Sequence, residues 1–194
     1  MTPATPDDQP NPTAASLLDR LAATPFRLGH TRLLAIDGPA GSGKTTLAAS
    51  LGREGRARSL GMAVVHLDDM YTGWETDFDE LATRVLNQLL TPLLHGETAR
   101  WQRYDWHAGR LDGWEPVTPP DVLVLDGCGS GALPLAPYAS LLVWVEEARD
   151  VRIGRGVARD GEQVLPHWLA WMDHEQAHFA ANRTRERADV RLPT

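Results

Sequence analysis

A glycine-rich segment, GPAGSGKT at positions 38–45, has the residue types and spacing of a phosphate-binding loop, GxxxxGK[ST]. Its glycines let the backbone curl so that successive N–H groups face one anion, and a helix that begins there adds its positive N-terminal end. Lys44 is the one lysine among the 19 Lys and Arg residues. A compact ammonium fits a narrow loop better than a planar guanidinium, so phosphate chemistry explains why a lysine stands there.

The loop motif lies between an apolar run and a helical pattern, a context that favours a nucleotide site over a chance glycine-rich turn. We expect Lys44 to reach the β- and γ-phosphates of ATP and the Thr45 hydroxyl to bind Mg²⁺. The residues expected to contact the nucleotide are Gly38, Ala40, Gly41, Ser42, Gly43, Lys44, Thr45 and Thr46.

Acidic residues follow two further apolar runs. Asp126 ends VLVLD and could orient the metal ion or its water, although an Asp-Gly pair is also a common turn. Asp68 and Asp69 follow AVVHL. A carboxylate there can take the proton of a hydroxyl that attacks the γ-phosphate; the alternative is a solvated acidic loop. The expected metal ligands are Thr45, Asp68 and Asp126.

The composition places limits on the class of protein. A chain of 194 residues with 42% hydrophobic content is long enough for one domain with a substantial core, and its formal net charge of −7 argues against a surface that neutralises nucleic acid. No apolar run approaches the ~20 residues of a membrane span. The one cysteine cannot form an internal disulfide, and the N-terminus lacks a signal-peptide pattern. We expect a cytoplasmic protein without nucleic-acid or membrane partners; the oligomeric state stays open.

Short apolar, β-branched runs alternate with helical patterns, which predicts an α/β fold with a central parallel sheet. The predicted strands are residues 32–37, 63–67, 122–127, 141–146 and 188–192. The predicted helices are residues 45–56, 78–94, 148–157 and 165–181. With the phosphate loop after the first strand, this order predicts a three-layer P-loop NTPase with right-handed crossovers.

Two segments lie outside this alternation. Residues 1–15 are rich in Pro, Thr, Asp and Asn, so we predict a disordered tail, with a helix that starts at Ser16 and a single domain over residues 16–194. Residues 96–120 fit neither period and are longer than most loops, which predicts either an insertion with a function or a flexible excursion. Tryptophans in and near it could stack on a flat acceptor or pack in the core; they are Trp74, Trp101, Trp106 and Trp114.

A series of motifs carries a resemblance to a known family. In order and spacing, GPAGSGKTT, LDDMY, RYDW, VLDG, RIGRGVARD and RERADVRL resemble the uridine kinase group of the phosphoribulokinase and uridine kinase family of P-loop kinases. The resemblance covers residues 33–192. It implies an enzyme that transfers the γ-phosphate of ATP, with Mg²⁺, to a hydroxyl of a small-molecule acceptor.

The resemblance also assigns catalytic roles. It makes Asp68 the general base, with Asp69 secondary. Three arginines match a lid over residues 152–164 that brings cations to the transferring phosphate, whereas charges at helical spacing are otherwise a solvated helix face. The expected catalytic residues are Lys44, Asp68, Arg152, Arg155 and Arg159.

The acceptor pocket is expected between two aromatic segments. Tyr71 matches a tyrosine that lines the family's pocket, and Tyr104 with Asp105 matches the family's Tyr-Asp before an aromatic residue, which places the insertion over the acceptor. The residues expected to contact the acceptor are Asp69, Tyr71, Trp74, Tyr104, Asp105, Trp106 and Arg110.

Two acceptor chemistries remain open at this point. The resemblance favours a nucleoside such as uridine, but Gly109 stands where the family's nucleoside kinases have a histidine. Arg103 and Arg110 add cations that would suit an anionic sugar or acid, because a guanidinium binds carboxylate or phosphate in a bidentate way.

Two functions of other classes also remain open. HEQAH at 174–178 spells the HExxH signature of zinc metalloproteases, but the helical wheel puts His174 and His178 opposite the apolar stripe, facing solvent, and no third ligand is indicated. A P-loop protein could also bind or hydrolyse nucleotide as a switch or assembly factor without any acceptor. Rapid ATP turnover with no added acceptor would favour the switch.

Overall fold

A central sheet of five parallel strands organises the chain, as the sequence predicts. The computed structural model describes residues 13–194, so residues 1–12 of the predicted tail lie outside the described part. The strands are Arg32–Asp37 (β1), Met62–His66 (β2), Ala99–Asp105 (β3), Arg110–Val117 (β4), Val122–Asp126 (β5), Ala139–Glu146 (β6) and Val190–Pro193 (β7). The order in the sheet is β2-β5-β1-β6-β7, and β3 and β4 form a separate hairpin.

Helices cover both faces of the sheet. They are Ala14–Ala22 (α1), Lys44–Ala57 (α2), Phe78–Val85 (α3), Thr91–Leu94 (α4), Arg149–Asp160 (α5), Leu165–Asn182 (α6) and Thr184–Arg187 (α7). One apolar cluster joins the sheet to α1 and α2, and a second joins it to α3, α4 and α6. The result is the predicted three-layer α/β architecture. Within residues 13–194, none of the helices is both long and apolar enough to cross a membrane.

The first helix begins earlier than the sequence predicts. Thr13, not Ser16, is the N-cap: its hydroxyl oxygen accepts a hydrogen bond from the Ser16 backbone N–H at 3.2 Å, and α1 starts at Ala14. The predicted helix start at Ser16 is therefore wrong by two residues. Leu17, Leu18 and Leu21 are buried, which gives this short helix the tertiary support that it needs.

The predicted helix over residues 78–94 contains a change of hydrogen-bond pattern. Its middle turn, Leu86–Leu90, is π-helical and lies between α3 and α4. Pro92 carries no N–H to bond the carbonyl four residues earlier, so the pattern shifts in the turn before it. The predicted apolar stripe nevertheless continues through all three parts, and its buried members are Leu81, Val85, Leu89, Leu90 and Leu93.

The insertion is a β-hairpin that the sequence did not reveal. Strands β3 and β4 pair antiparallel, with an irregular register between Gln102 and Arg103. Ala99, Trp101 and Val117 fix its base in the core, while most of β4 is exposed. A strand that is solvated on both faces shows no alternation of apolar and polar residues, which is why neither period was visible.

The carboxyl ends of three strands meet at one level of the sheet. Asp126 of β5 pairs in register with Ile36 of β1 on one side and with His66 of β2 on the other. The phosphate loop after β1, the acidic pair after β2 and Asp126 therefore share one edge. This is the edge at which open parallel sheets bind ligands.

Leu89→Ala should lower the free energy of unfolding by about 2–5 kcal/mol, because it leaves a cavity at a fully buried site in the π-helical turn. Leu94→Ala is the matched control, since Leu94 lies in the same helical segment, residues 78–94, but is 37% exposed. Urea unfolding of both variants measures the difference. Equal destabilisation by the two changes would contradict the described packing.

Candidate active site

The phosphate loop adopts a backbone that its glycines make possible. Gly38, Gly41 and Gly43 have φ angles of 138°, 79° and 98°, a region that side chains disfavour. At Gly38 a Cβ atom would also lie 2.0 Å from the Val145 carbonyl oxygen. The tight curl against β6 therefore depends on the absence of a side chain, and α2 begins directly after it at Lys44.

Lys44 lies inside the curl, as the motif predicts. Its ammonium donates hydrogen bonds to the carbonyls of Gly38 at 2.8 Å and Pro39 at 2.9 Å, and the side chain lines the cavity above the loop. Burial lowers the pKa of Lys44, but the acidic groups of Cys128 and Asp68 outweigh it and leave that pKa above its usual value. The lysine is thus a fixed positive charge at the base of the loop.

Asp126 links the loop to the neighbouring strand. Its Oδ2 accepts a hydrogen bond from the Thr45 hydroxyl at 2.9 Å and lies 2.7 Å from Nδ1 of His66, whose pKa this contact raises. Its Oδ1 is buried without a hydrogen-bond partner among the described residues. A hydroxyl and an unsatisfied carboxylate oxygen beside a lysine-bearing loop fit a hard cation such as Mg²⁺, which takes oxygen ligands.

The acidic pair after β2 divides into two environments. Asp69 forms an ion pair with Arg103 of the hairpin, at 3.3 Å between Oδ1 and Nη2. The Asp68 carboxylate lines the cavity and has no hydrogen bond or ion pair within residues 13–194. Asp68 is exposed to the cavity, and partial desolvation by the surrounding protein raises the pKa of Asp68, while the Lys44 ammonium opposes this shift. Asp68 is therefore the acid of the pair that is available to a ligand.

A cavity of ≈ 770 Å³ joins the phosphate loop to an aromatic chamber. Six loop and helix residues form its phosphate end: Ala40, Gly41, Gly43, Lys44, Thr45 and Thr46. Five aromatic side chains also line it: Tyr71, Trp74, Trp106, Trp168 and Trp171. Of the eight predicted nucleotide contacts, Gly38 and Ser42 do not line this space. Gly38 accepts from Lys44 through its carbonyl, and Ser42 is buried with its carbonyl bonded to Thr194.

The three lid arginines do not behave alike. Arg155 and Arg159 line the cavity; Arg155 donates to the Gly41 carbonyl at 3.1 Å, and Arg159 lies over the Trp168 ring. Arg152 does not line it. This guanidinium is buried behind the loop, where it donates to the Ala40 carbonyl and to a carboxylate of α6. The lid prediction thus separates into two arginines that face the cavity and one that supports the loop.

Some of the residues predicted to contact the acceptor line the cavity, and others do not. Tyr71, Trp74 and Trp106 line the cavity, and the Trp106 indole N–H donates to the Asp68 carbonyl at 3.2 Å. Tyr104 only packs edge-on against Trp106.

Asp105 and Arg110 are not brought into the cavity. The Asp105 carboxylate accepts from the backbone N–H groups of His107 and Ala108, so it shapes the hairpin turn. Arg110 is 71% exposed, and its guanidinium lies 3.7 Å from the carboxylate of Asp112 on the same strand. The geometry therefore gives neither side chain a contact with a ligand in the cavity.

The helical-wheel expectation for HEQAH holds for His174, which is exposed, and fails for His178. His178 is buried and stacks on Phe78 with ring centroids 4.1 Å apart, and burial lowers the pKa of His178 to about 4. His174 contacts the Thr76 carbonyl at 2.8 Å. Within residues 13–194, no group of three His, Cys, Asp or Glu side chains could hold a metal ion. The expected solvent-facing position of His178 is wrong because aromatic packing, not hydrophobicity alone, decides this face.

Sequence reasoning missed three groups around the loop. Glu175, the acid of HEQAH, is 2% exposed and accepts from the Ala40 N–H at 2.8 Å. Asp37 accepts from three backbone N–H groups, those of Gly38, Gly129 and Gly131, and burial raises the pKa of Asp37 to about 6. The Cys128 thiol lies between the Lys44 ammonium and Glu175. No local pattern marks these residues, because their contacts come from distant segments.

No family model matches the chain, and the curated proteins give no match. Solved structures do. A possible uridine kinase from Bacillus stearothermophilus matches with a TM-score of 0.61 and 21% identity, over 91% of this chain and 98% of that one. A candidate fructose transport system kinase from Silicibacter sp. TM1040 matches with a TM-score of 0.62 and 22% identity, over 93% of this chain and 97% of that one. A D-glycerate 3-kinase from Cryptococcus neoformans var. grubii matches with a TM-score of 0.55 and 16% identity, over 85% of this chain and 86% of that one.

These similarities extend over nearly all of the described residues and include the five-stranded sheet with its loop after the first strand. At such low identity they concern the fold alone, and the three proteins differ in the acceptor that their names give. The chain has the fold of P-loop kinases of the phosphoribulokinase and uridine kinase type.

Proposed function

We propose that this protein transfers the γ-phosphate of ATP to a hydroxyl group of a small metabolite. The observation that carries the proposal is the composition of one cavity. It contains a phosphate loop with its lysine, aromatic walls and the Asp68 carboxylate. A nucleotide site alone would need neither the aromatic chamber nor a carboxylate placed to accept a proton.

Each part of the cavity has a role in phosphoryl transfer. The backbone of the loop and Lys44 bind the β- and γ-phosphates, and Arg155 and Arg159 offset the charge that spreads over the transferred group. Thr45 and Asp126 are the residues that would hold Mg²⁺, which neutralises phosphate charge when it is bound.

Asp68 completes the site as the base. Its carboxylate accepts the proton of the acceptor hydroxyl as the oxygen of that hydroxyl attacks the γ-phosphate. Trp106 supports this role, because its bond to the Asp68 carbonyl fixes the segment that carries the carboxylate.

The aromatic chamber favours a flat, neutral acceptor, and we propose a nucleoside such as uridine. Trp74, Trp106 and Trp171 offer ring faces and edges, on which a base can stack. The cations that suggested an anionic sugar or acid lie elsewhere. Arg103 is paired with Asp69, and Arg110 is exposed on the hairpin. Release of ADP that depends on an added acceptor is the test of the function as a whole; rapid release without one would favour a switch.

Lys44→Ala should reduce phosphoryl transfer by at least ~10², the range for loss of a group that stabilises charge in the transition state. Lys44→Arg should also be poor, because a planar guanidinium cannot donate to the Gly38 and Pro39 carbonyls in the same confined space. Coupled-assay measurement of kcat and KM for ATP checks both variants. Full activity in Lys44→Ala would exclude the proposed phosphate site.

Asp68→Asn should keep the affinity for ATP within a few-fold and reduce kcat by ~10²–10⁴, the usual range for loss of a general base. Asp69→Asn is the matched control. It removes only an ion pair with Arg103 on the surface, so its kcat should stay near that of the wild type. A larger loss in Asp69→Asn would move the base to that residue.

The pH profile gives a second measure of the same role. Because the pKa of Asp68 is raised, its carboxylate is protonated up to a higher pH than an ordinary aspartate, and kcat should fall on the acid side above the usual carboxyl range. The Asp68→Asn variant should lose this acid limb. An unchanged limb in the variant would assign the titration to another group.

Trp106→Ala should raise KM for uridine or cytidine ~10-fold, since stacking of a base on an aromatic side chain contributes roughly that much. Trp114→Ala is the matched control, because both tryptophans are exposed on the hairpin, at 44% and 50%, but only Trp106 lines the cavity. Arg110→Ala should leave nucleoside turnover unchanged. Turnover of anionic sugars or acids alone, lost in Arg110→Ala, would overturn the nucleoside proposal.

A further inference from the structure

A buried glutamate from the far end of the chain lies directly behind the phosphate loop. Glu175 is in the middle of α6, 135 residues after the Ala40 N–H that it accepts at 2.8 Å through Oε2. Its Oε1 accepts from Nη1 of Arg152 on α5 at 3.2 Å. A carboxylate that is 2% exposed is costly unless it is paired and hydrogen-bonded, and here both oxygens have donors.

The two side chains hold one residue of the loop, Ala40, through the peptide groups before and after it. Glu175 accepts from the N–H of Ala40, and Arg152 donates to the Ala40 carbonyl at 3.2 Å. Arg152 also donates through Nε to the Glu147 carbonyl, which fixes the guanidinium at the start of α5. Ala40 lines the cavity, and Gly41 after it has a backbone that only glycine adopts easily. Because Ala40 is held at its N–H and at its carbonyl, the direction of the backbone that leads into Gly41 is fixed.

The surroundings of Glu175 favour a negatively charged carboxylate. Two cations, Lys44 and Arg152, lie close to it, and the Cys128 thiol is 3.4 Å from its Oε2. Burial raises the pKa of Glu175, whereas the Ala40 N–H and Lys44 hold it down. The ionised form suits this position, because both neighbours of the carboxylate are hydrogen-bond donors.

We propose that Glu175 is a positioning residue of the phosphate loop, which it holds in the nucleotide-binding conformation through the Ala40 peptide and Arg152. This inference deepens the proposed function and rests on it. It gives the acid of HEQAH a role without zinc, and it connects α5 and α6 to the loop through one ion pair. Glu175 acts through Ala40 and does not touch the reacting atoms.

Replacement of Glu175 by glutamine tests the hydrogen bonds of this side chain without a change in its size. Glu175→Gln keeps the shape, but its NH₂ group must face either the Ala40 N–H or the Arg152 guanidinium, and both are donors. Either the Ala40 N–H or the Arg152 guanidinium then loses its acceptor, and because both hold Ala40, the loop shifts. The variant also removes a negative charge near Lys44, which by itself favours phosphate. Since Lys44 keeps Asp68 and Asp126 as acidic neighbours, the weakened loop contacts should dominate.

The experiment measures ATP binding directly, by calorimetry with Mg²⁺, alongside steady-state kinetics. Glu175→Gln should raise the Kd for ATP ~10-fold, the size expected for loss of one charge-assisted hydrogen bond, with kcat at saturation and the acceptor KM within ~3-fold of wild type. Asp173→Asn, an exposed change on the same helix, is the control and should bind as the wild type does. Unchanged or tighter binding by folded Glu175→Gln would overturn the proposal.

A measurement on the wild-type chain keeps the proposal testable if the variant does not fold. In the chain without nucleotide, the Ala40 amide should exchange with solvent at least ~10-fold more slowly than the Gly41 amide, which has no acceptor in this structure. Equal, fast exchange of both amides would overturn the inference. ATP binding by the wild type separates the two proposals, since a chain that binds no ATP contradicts the proposed function and not the contact at Ala40.

Discussion

The level at which three parallel strands end is the constraint on which this site depends. Asp126 pairs in register with Ile36 and with His66, so three loops begin at one edge of the sheet. The phosphate loop, the Asp126 carboxylate and the acidic pair are brought together by strand register before any side chain contacts another. A shift of one residue between strands would turn Asp126 to the opposite face of the sheet and separate it from the Thr45 hydroxyl.

The cations around the cavity have partners within the chain itself. Arg155 pairs with Glu147, and Arg159 pairs with Asp160, while Lys44 bonds to carbonyls of its own loop. A bound triphosphate must therefore compete with these partners for the same donors. This competition keeps the net potential of the cavity moderate and reserves strong binding for ligands that reach several donors together, as a polyphosphate does.

Much of the fold was visible in the sequence, and part of the site was not. The buried strands are continuous apolar runs and the loop motif stands between a strand and a helix, so local pattern predicted the sheet, the order of elements and the position of Lys44. Glu175 and His178 were missed because a polar side chain on an inward face is stabilised by distant donors or rings, here those of Ala40, Arg152 and Phe78. Arg152 was assigned to the cavity because spacing along a helix gives no information about which face the loop covers.

The aromatic chamber has a consequence for how this protein can be observed. Four of its seven tryptophans, Trp74, Trp106, Trp168 and Trp171, line the one cavity of ≈ 770 Å³ that also contains the phosphate loop. The emission of an indole ring depends on its contact with water and on nearby charges. More than half of the tryptophans in the chain therefore report on the contents of this cavity, and the unmodified protein carries its own optical signal for whatever enters it.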